Sequence, residues 1–177
     1  MRRIFFLTAF LILGLPSLAL AWGAGVHLAV GSTVLLNLGL LAPYVAEIIK
    51  KHSQDFLYGI VAADVTLAKG FVRSIHNCHT WAVAKAMHAE VTTEQGHAFC
   101  YGYQAHLASD VIAHNYFIPN KLIISFRHRT MRHTYWENRF ESYIDPRVWE
   151  ISRQLAKQSF AEHDDPVSYT HLTLPTN

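Results

Sequence analysis

The stretch HLASDVIAH sets His106, Asp110 and His114 four residues apart in turn, and HTYWE repeats the step with His133 and Glu137. Steps of four put side chains on one face of an α-helix, each about 6 Å further along the axis. His106 and His114 would stand about 12 Å apart at the backbone, an awkward separation for sharing a metal whose bonds to nitrogen are about 2.0 Å. Asp110 lies between them, and one carboxylate can bridge two ions. The spacing therefore suits a row of metals better than a single one. A polar stripe on a half-buried amphipathic helix would account for one such pair alone. A second His-to-carboxylate step of the same length makes a two-helix metal cradle the better reading, against a plain exposed i,i+4 interaction.

Composition points the same way. Twelve histidines accompany two cysteines, where average usage would give about four or five histidines in a chain of this length. Two cysteines cannot supply a Cys-rich structural zinc site, so any metal must be held by imidazole and carboxylate. The chain has 177 residues, 51% of them apolar and 16% charged, with 10 Phe, 8 Tyr and 4 Trp. This is the composition of one folded globular domain and the opposite of the signature of disorder.

The elements that must position these residues read as helices. Residues 26–41 are strongly apolar, and Pro43 then opens a stretch with Val45, Ile48 and Ile49 at helical spacing. Residues 55–68 carry Phe56, Ile60, Ala63 and Leu67 on one face and stop at Gly70. Residues 71–79 form a connection, and helical patterning resumes over 81–90 through Val83, Ala84 and Met87. Residues 93–117 give the strongest helix, with Phe99, Tyr103, His106, Asp110 and His114 at three- and four-residue steps and Pro119 as the stop. Residues 130–157 predict a long helix or a helix pair with its break at Pro146. Alternating strand patterns are scarce and no Asn-Gly or Asp-Gly hairpin signal occurs. The predicted fold class is all-α, a helical bundle.

The N-terminus has the form of a secretory signal peptide: Arg2 and Arg3, an apolar run from Ile4 to Leu13, and Ala19-Leu20-Ala21 as the cleavage site. Gly14 and Pro16 interrupt the run before the roughly 20 apolar residues that a membrane-spanning helix needs. Cleavage after Ala21 predicts a secreted or periplasmic protein that begins at Trp22. Losing Arg2 and Arg3 takes the basic residues from 15 to 13, equal to the 13 acidic ones. No basic surplus remains to attract a phosphate backbone. Outside the cytosol Cys78 and Cys100 are either a disulfide or two buried thiols. Residues 167–177, VSYTHLTLPTN, lack both period and capping logic and resemble a translated adapter tail. The domain is accordingly read as 22–166, truncated at its C-terminal side.

Further positions carry a family resemblance. WGAGVH places His27 five residues after Trp22, AAD ends at Asp64, and HNCHTW places His79 fifteen residues later. With His106, Asp110, His114, His133 and Glu137, this order resembles the trinuclear zinc phospholipase C and zinc nuclease superfamily from Trp22 to about Phe160. The resemblance implies three zinc ions at the bottom of a cleft in an α-helical domain. Asp64, His79, His106 and Asp110 would bind one ion. The amine and carbonyl of Trp22 with His27 would bind a second, which shares Asp110. His114, His133 and Glu137 would hold the third. In the family the histidine after the HxxxD motif usually lies about half a turn beyond His114. His76 competes with His79, and His128 is an alternative for the third ion. His52, His88, His97 and His163 have no partner at ligand spacing and are read as surface residues.

Bound zinc would acidify a water toward neutral pH and neutralise charge on a phosphodiester, so hydrolysis would need no protein nucleophile. The resemblance further implies that Asp64 orients or deprotonates that water. No Gly-x-Ser-x-Gly elbow and no P-loop compete. Glu137 is the phospholipase-like choice where the nuclease branch carries aspartate, and the near-neutral mature chain agrees. The expected substrate is a phospholipid, with transient contact to a membrane surface. Trp81, Tyr116 and Phe117 would line an acyl-chain pocket or simply belong to the core. The alternatives are a zinc nuclease or nucleotidase acting on single-stranded nucleic acid, and a helical zinc-binding protein without turnover.

Overall fold

The computed structural model describes residues 22–65, 79–124, 129–160 and 163, with the side chains at 65, 122–124 and 129–134 outside the description. The signal segment, Leu67, Gly70, His76, Cys78, His128 and the tail 167–177 also lie outside it. Among the described residues every regular element is helical. Helix α1 spans Ala24–Leu36 and is followed by a short 3-10 turn, Leu38–Leu40. Pro43 occupies the first turn of α2, Pro43–Lys51, where its missing N–H costs nothing. Then come α3, Ser53–Val65, and α4, Trp81–Glu90, whose cap Thr80 accepts a hydrogen bond from the Val83 amide. Thr93 caps the long α5, Glu94–Ile112, by accepting from the Gly96 amide at 3.0 Å.

Helix α5 does not run to Phe117 and stop at Pro119. It widens into a π turn over Ala113–Phe117 and continues directly as α6, Ile118–Ile124. Pro119 sits in the first turn of α6, where a proline is tolerated, and the strain of passing it is taken upstream by the wider turn. Residues 130–157 resolve as a pair, α7 (Arg129–Glu141) and α8 (Pro146–Leu155), with Asp145 capping α8 through the Arg147 amide.

Helix α3 is the centre of the bundle. One apolar cluster joins Phe56, Leu57 and Ile60 of α3 to Leu28, Ile48, Ile49, Val148 and Leu155. A second joins Ala62 and Ala63 to Val83, Met87, Phe99, Tyr103 and Leu107 of α4 and α5. A helix buried on two sides needs apolar residues around most of its circumference, as α3 has. Its backbone comes closest to α5 at two glycines. A methyl group on Gly59 would lie 2.1 Å from the Phe99 carbonyl oxygen, and one on Gly102 would lie 2.0 Å from that of Phe56. No side chain fits between the two helices at those points.

The four histidines read as unpartnered surface residues are paired through tertiary contacts. His163 is buried, with Nε2 2.7 Å from Asp55 Oδ1 and its ring stacked on Phe99. His88 Nε2 lies 3.1 Å from His97 Nδ1, and His52 Nε2 lies 3.2 Å from Glu94 Oε2. The Asp55 partner of His163 and the Glu94 partner of His52 are remote in sequence, and ligand spacing along one helix cannot reveal them.

Candidate metal centre

The close α3–α5 contact sets the site. One turn beyond Gly102, His106 is fully buried and its Nδ1 donates to the Ile60 carbonyl at 2.8 Å. That bond leaves Nε2 with a lone pair directed at the end of the bundle. Asp110, one turn further, brings Oδ2 to 3.4 Å from His106 Nε2. His27, from the first half of α1, stacks its ring on His106 with centroids 3.9 Å apart. Its Nε2 lies 3.4 Å from Asp110 Oδ1 and 3.8 Å from Asp64 Oδ2. His79, immediately before α4, places Nε2 3.1 Å from His106 Nε2, 3.4 Å from Asp64 Oδ1 and 3.7 Å from Asp110 Oδ2. Five sequence-predicted residues from four segments thus meet in one cluster.

Ligand groupings that could each hold an ion are His27, His106 and Asp110, and Asp64, His79 and His106, with the ligand atoms of each group within 4.8 Å of one another. Two ligands of one tetrahedral zinc stand about 3.3 Å apart, given bonds of about 2.0–2.1 Å, which is the spacing seen here. His27 Nε2 and Asp110 Oδ1 are buried and make no hydrogen bond to each other or to anything else. Buried polar atoms are rarely left so, and a cation between them accounts for both. The donor set of imidazole nitrogen and carboxylate oxygen fits zinc.

Charge within the site is strongly perturbed. Burial by itself would raise the Asp110 carboxyl, but the imidazoles of His106 and His27 outweigh it and hold the group far below the usual carboxylate range. Burial pushes the His27 imidazole down, against the pull of Asp110. Glu137 is buried, and desolvation, with the negative charges of Asp110 and Asp64 adding to it, pushes its carboxyl up to about 7. Three carboxyl groups close enough to feel one another in a largely buried pocket form a cation site in electrostatic terms.

The remaining expected ligands divide. Trp22 lies in an aromatic clamp, stacked on Phe140 with centroids 5.6 Å apart and edge-on to Phe117 at 5.8 Å. Phe117 is thereby core to the N-terminal segment. His114 lies on the π turn and is half-buried. His133 is on α7 one turn before Glu137, with its side chain outside the description.

Two residues that the spacing did not single out support the cluster. Ser109 Oγ donates to the His106 carbonyl at 2.8 Å and lies 3.0 Å from His27 Nδ1. Glu141, one turn after Glu137, accepts from the Gly25 and Val26 amides at 2.7 and 3.2 Å. This carboxylate caps α1, which has no side-chain cap of its own. The missing local cap in WGAGVH was the one sequence signal that a partner from elsewhere was needed.

An all-α bundle with a buried cluster of imidazoles and carboxylates at one end defines a metal-dependent protein. The zinc-dependent phospholipase C family matches residues 26–174, and the chain belongs to that family. It is accordingly a zinc-dependent hydrolase. Neither a curated protein nor a solved structure matches it.

Proposed function

We propose that the chain cleaves the phosphodiester of phospholipids with three zinc ions, as a phospholipase C type enzyme outside the cytosol. The observation that carries this reading is Asp110, whose two oxygens face different histidines, His27 on one side and His106 and His79 on the other. Such a carboxylate suits a bridge between two ions. The first ion would be held by Asp64, His79, His106 and Asp110, and the second by His27, Asp110 and the amine and carbonyl of Trp22. The third would be held by His114, His133 and Glu137.

Zinc bound there supplies Lewis acidity, lowering the pKa of a water and neutralising charge on the phosphodiester. The chain's own residues do the positioning. Asp64, at the C-terminal end of α3, has one oxygen toward His27 and the other toward His79, which suits it to orient the attacking water and accept its proton. The clamp of Phe117 and Phe140 on Trp22 suits an N-terminus released by signal cleavage and fixed in place. Trp81, Val111, Ile112 and Tyr116 are exposed within a few residues of His79, Asp110 and His114. Exposed apolar side chains next in sequence to these residues suit a substrate that sits in a lipid surface.

The test is a side-by-side assay of zinc-loaded protein on phosphatidylcholine vesicles and on single-stranded DNA. Release of the phosphorylated head group with no cleavage of DNA is expected. Cleavage of DNA alone would overturn the phospholipid assignment in favour of a nuclease.

A further inference from the structure

The Ser109 hydroxyl makes two contacts and owns one proton. It lies 2.8 Å from the His106 carbonyl oxygen and 3.0 Å from His27 Nδ1, and both contacts are buried. Two oxygens at 2.8 Å need a proton between them, and a carbonyl has none to give. The Ser109 proton is therefore committed to His106, and Ser109 Oγ faces His27 as an acceptor. His27 Nδ1 must carry its own proton, which leaves Nε2 as the lone-pair nitrogen. That nitrogen is the buried atom, without a hydrogen bond, that faces Asp110 and Asp64.

We propose that Ser109 is a positioning residue of the metal centre, whose hydroxyl holds His27 in the tautomer that turns its Nε2 lone pair toward Asp110. This role rests on the reading of His27 as a zinc ligand. It is the counterpart of the Ile60 carbonyl, which fixes His106 in the same tautomer from the other side of the stacked pair. The two devices differ in origin. A backbone carbonyl is supplied by the fold whatever the residue, whereas Ser109 depends on its own side chain. Removing the hydroxyl leaves a buried imidazole N–H unsatisfied, and the ring is then drawn toward the other tautomer, in which Nε2 is protonated and cannot bind a cation. Ser109 sits between His106 and Asp110 in sequence, so one turn of α5 carries two ligands and the group that orients a third on α1.

The experiment uses the mature chain labelled with 15N, stripped of metal and held at pH 8. Ring tautomers are read from two-bond 1H–15N correlations, and zinc affinity is read by chelator competition. The parent should show His27 and His106 both protonated at Nδ1. In Ser109→Ala, His27 should move toward the Nε2-protonated form while His106 stays unchanged, and one ion should bind about 10–100-fold more weakly. Ser109→Thr, which keeps the hydroxyl, should restore both readouts. Ser109→Cys, a poor acceptor of similar size, should behave like Ser109→Ala and serves if the alanine variant fails to fold. An unmoved His27 tautomer in both hydroxyl-free variants, with zinc uptake intact, overturns the role of Ser109 alone. So does a joint loss of both tautomers, which marks general loosening of α5. A parent chain that takes up no zinc overturns instead the reading on which this role rests.

Discussion

Gly59 on α3 and Gly102 on α5 mark a close approach of the two helices, each with the other helix's backbone where its own side chain would begin, Phe99 for Gly59 and Phe56 for Gly102. One turn further on, the same closeness lets the Ile60 carbonyl reach His106 Nδ1 at 2.8 Å. The packing of two glycines thus sets which nitrogen of His106 faces Asp110 and His79.

Gly102→Ala should therefore disturb stability and the site together. A methyl group 2.0 Å from a backbone oxygen cannot be absorbed by a side-chain rotation, so the helices must separate. Overpacking of this kind costs about 1–3 kcal/mol, and the separation should also lengthen the Ile60–His106 bond. Urea unfolding of the metal-free protein and zinc titration should both show the loss. Parent-like values in both would mean that the helices can part without cost.

Glu141 should behave as a cap supplied from a distance. Its carboxylate receives two amides at the start of α1, the helix that carries His27. Glu141→Ala should lower stability by about 0.5–2 kcal/mol, the usual range for losing an N-terminal cap, and Glu141→Gln by less. Hydrogen exchange at the Gly25 and Val26 amides should accelerate in the alanine variant. Unchanged protection there would remove Glu141 from this role.

Cys100 should be chemically silent until the chain unfolds. Burial pushes its thiol up to about 12 from an ordinary value of 9.0, so the reactive thiolate is scarce at pH 8. In a Cys78→Ser background, iodoacetamide at pH 8 should leave the native protein unmodified and label it once denatured. The linked effect on stability has a definite sign. Between pH 9 and about 12 the folded state keeps a proton that the unfolded state releases, so stability falls as the pH rises through that window. Fast labelling under native conditions would contradict the burial of Cys100.

Much of this arrangement is readable in the residues because helical spacing is local. His106 and Asp110 are one turn apart in any α-helix, and the apolar positions of α2, α4 and α8 mark their buried faces without knowledge of the neighbours. Helix α5 and the pair α7–α8 follow from the same logic. The parts that escaped depend on contacts across the bundle. Ser109 looks like any small polar residue on a helix, and its role exists only because α1 brings His27 beside it. Pro119 reads as a stop because its effect on the preceding turn is strong, yet the π turn at Ala113–Phe117 absorbs that effect and the helix goes on. His163 reaches Asp55, 108 residues away along the chain, a contact that no local spacing announces. Asp64 and His79 lie at the ends of the segment 66–78, so no spacing within one helix could join them, and only the order of motifs along the chain suggested that they meet.

Zinc counting in two variants tests most directly the proposed sharing of Asp110 between two ions. Asp110→Asn keeps the shape of the side chain but removes the charge that two adjacent cations require. Glu137→Gln makes the same change at a carboxyl proposed to serve one ion alone. Elemental analysis of the folded, mature proteins should give close to three zincs for the parent, a joint loss from two sites for Asp110→Asn, and the loss of a single ion for Glu137→Gln. Full zinc content and parent-level phosphodiester hydrolysis in Asp110→Asn would contradict the shared carboxylate.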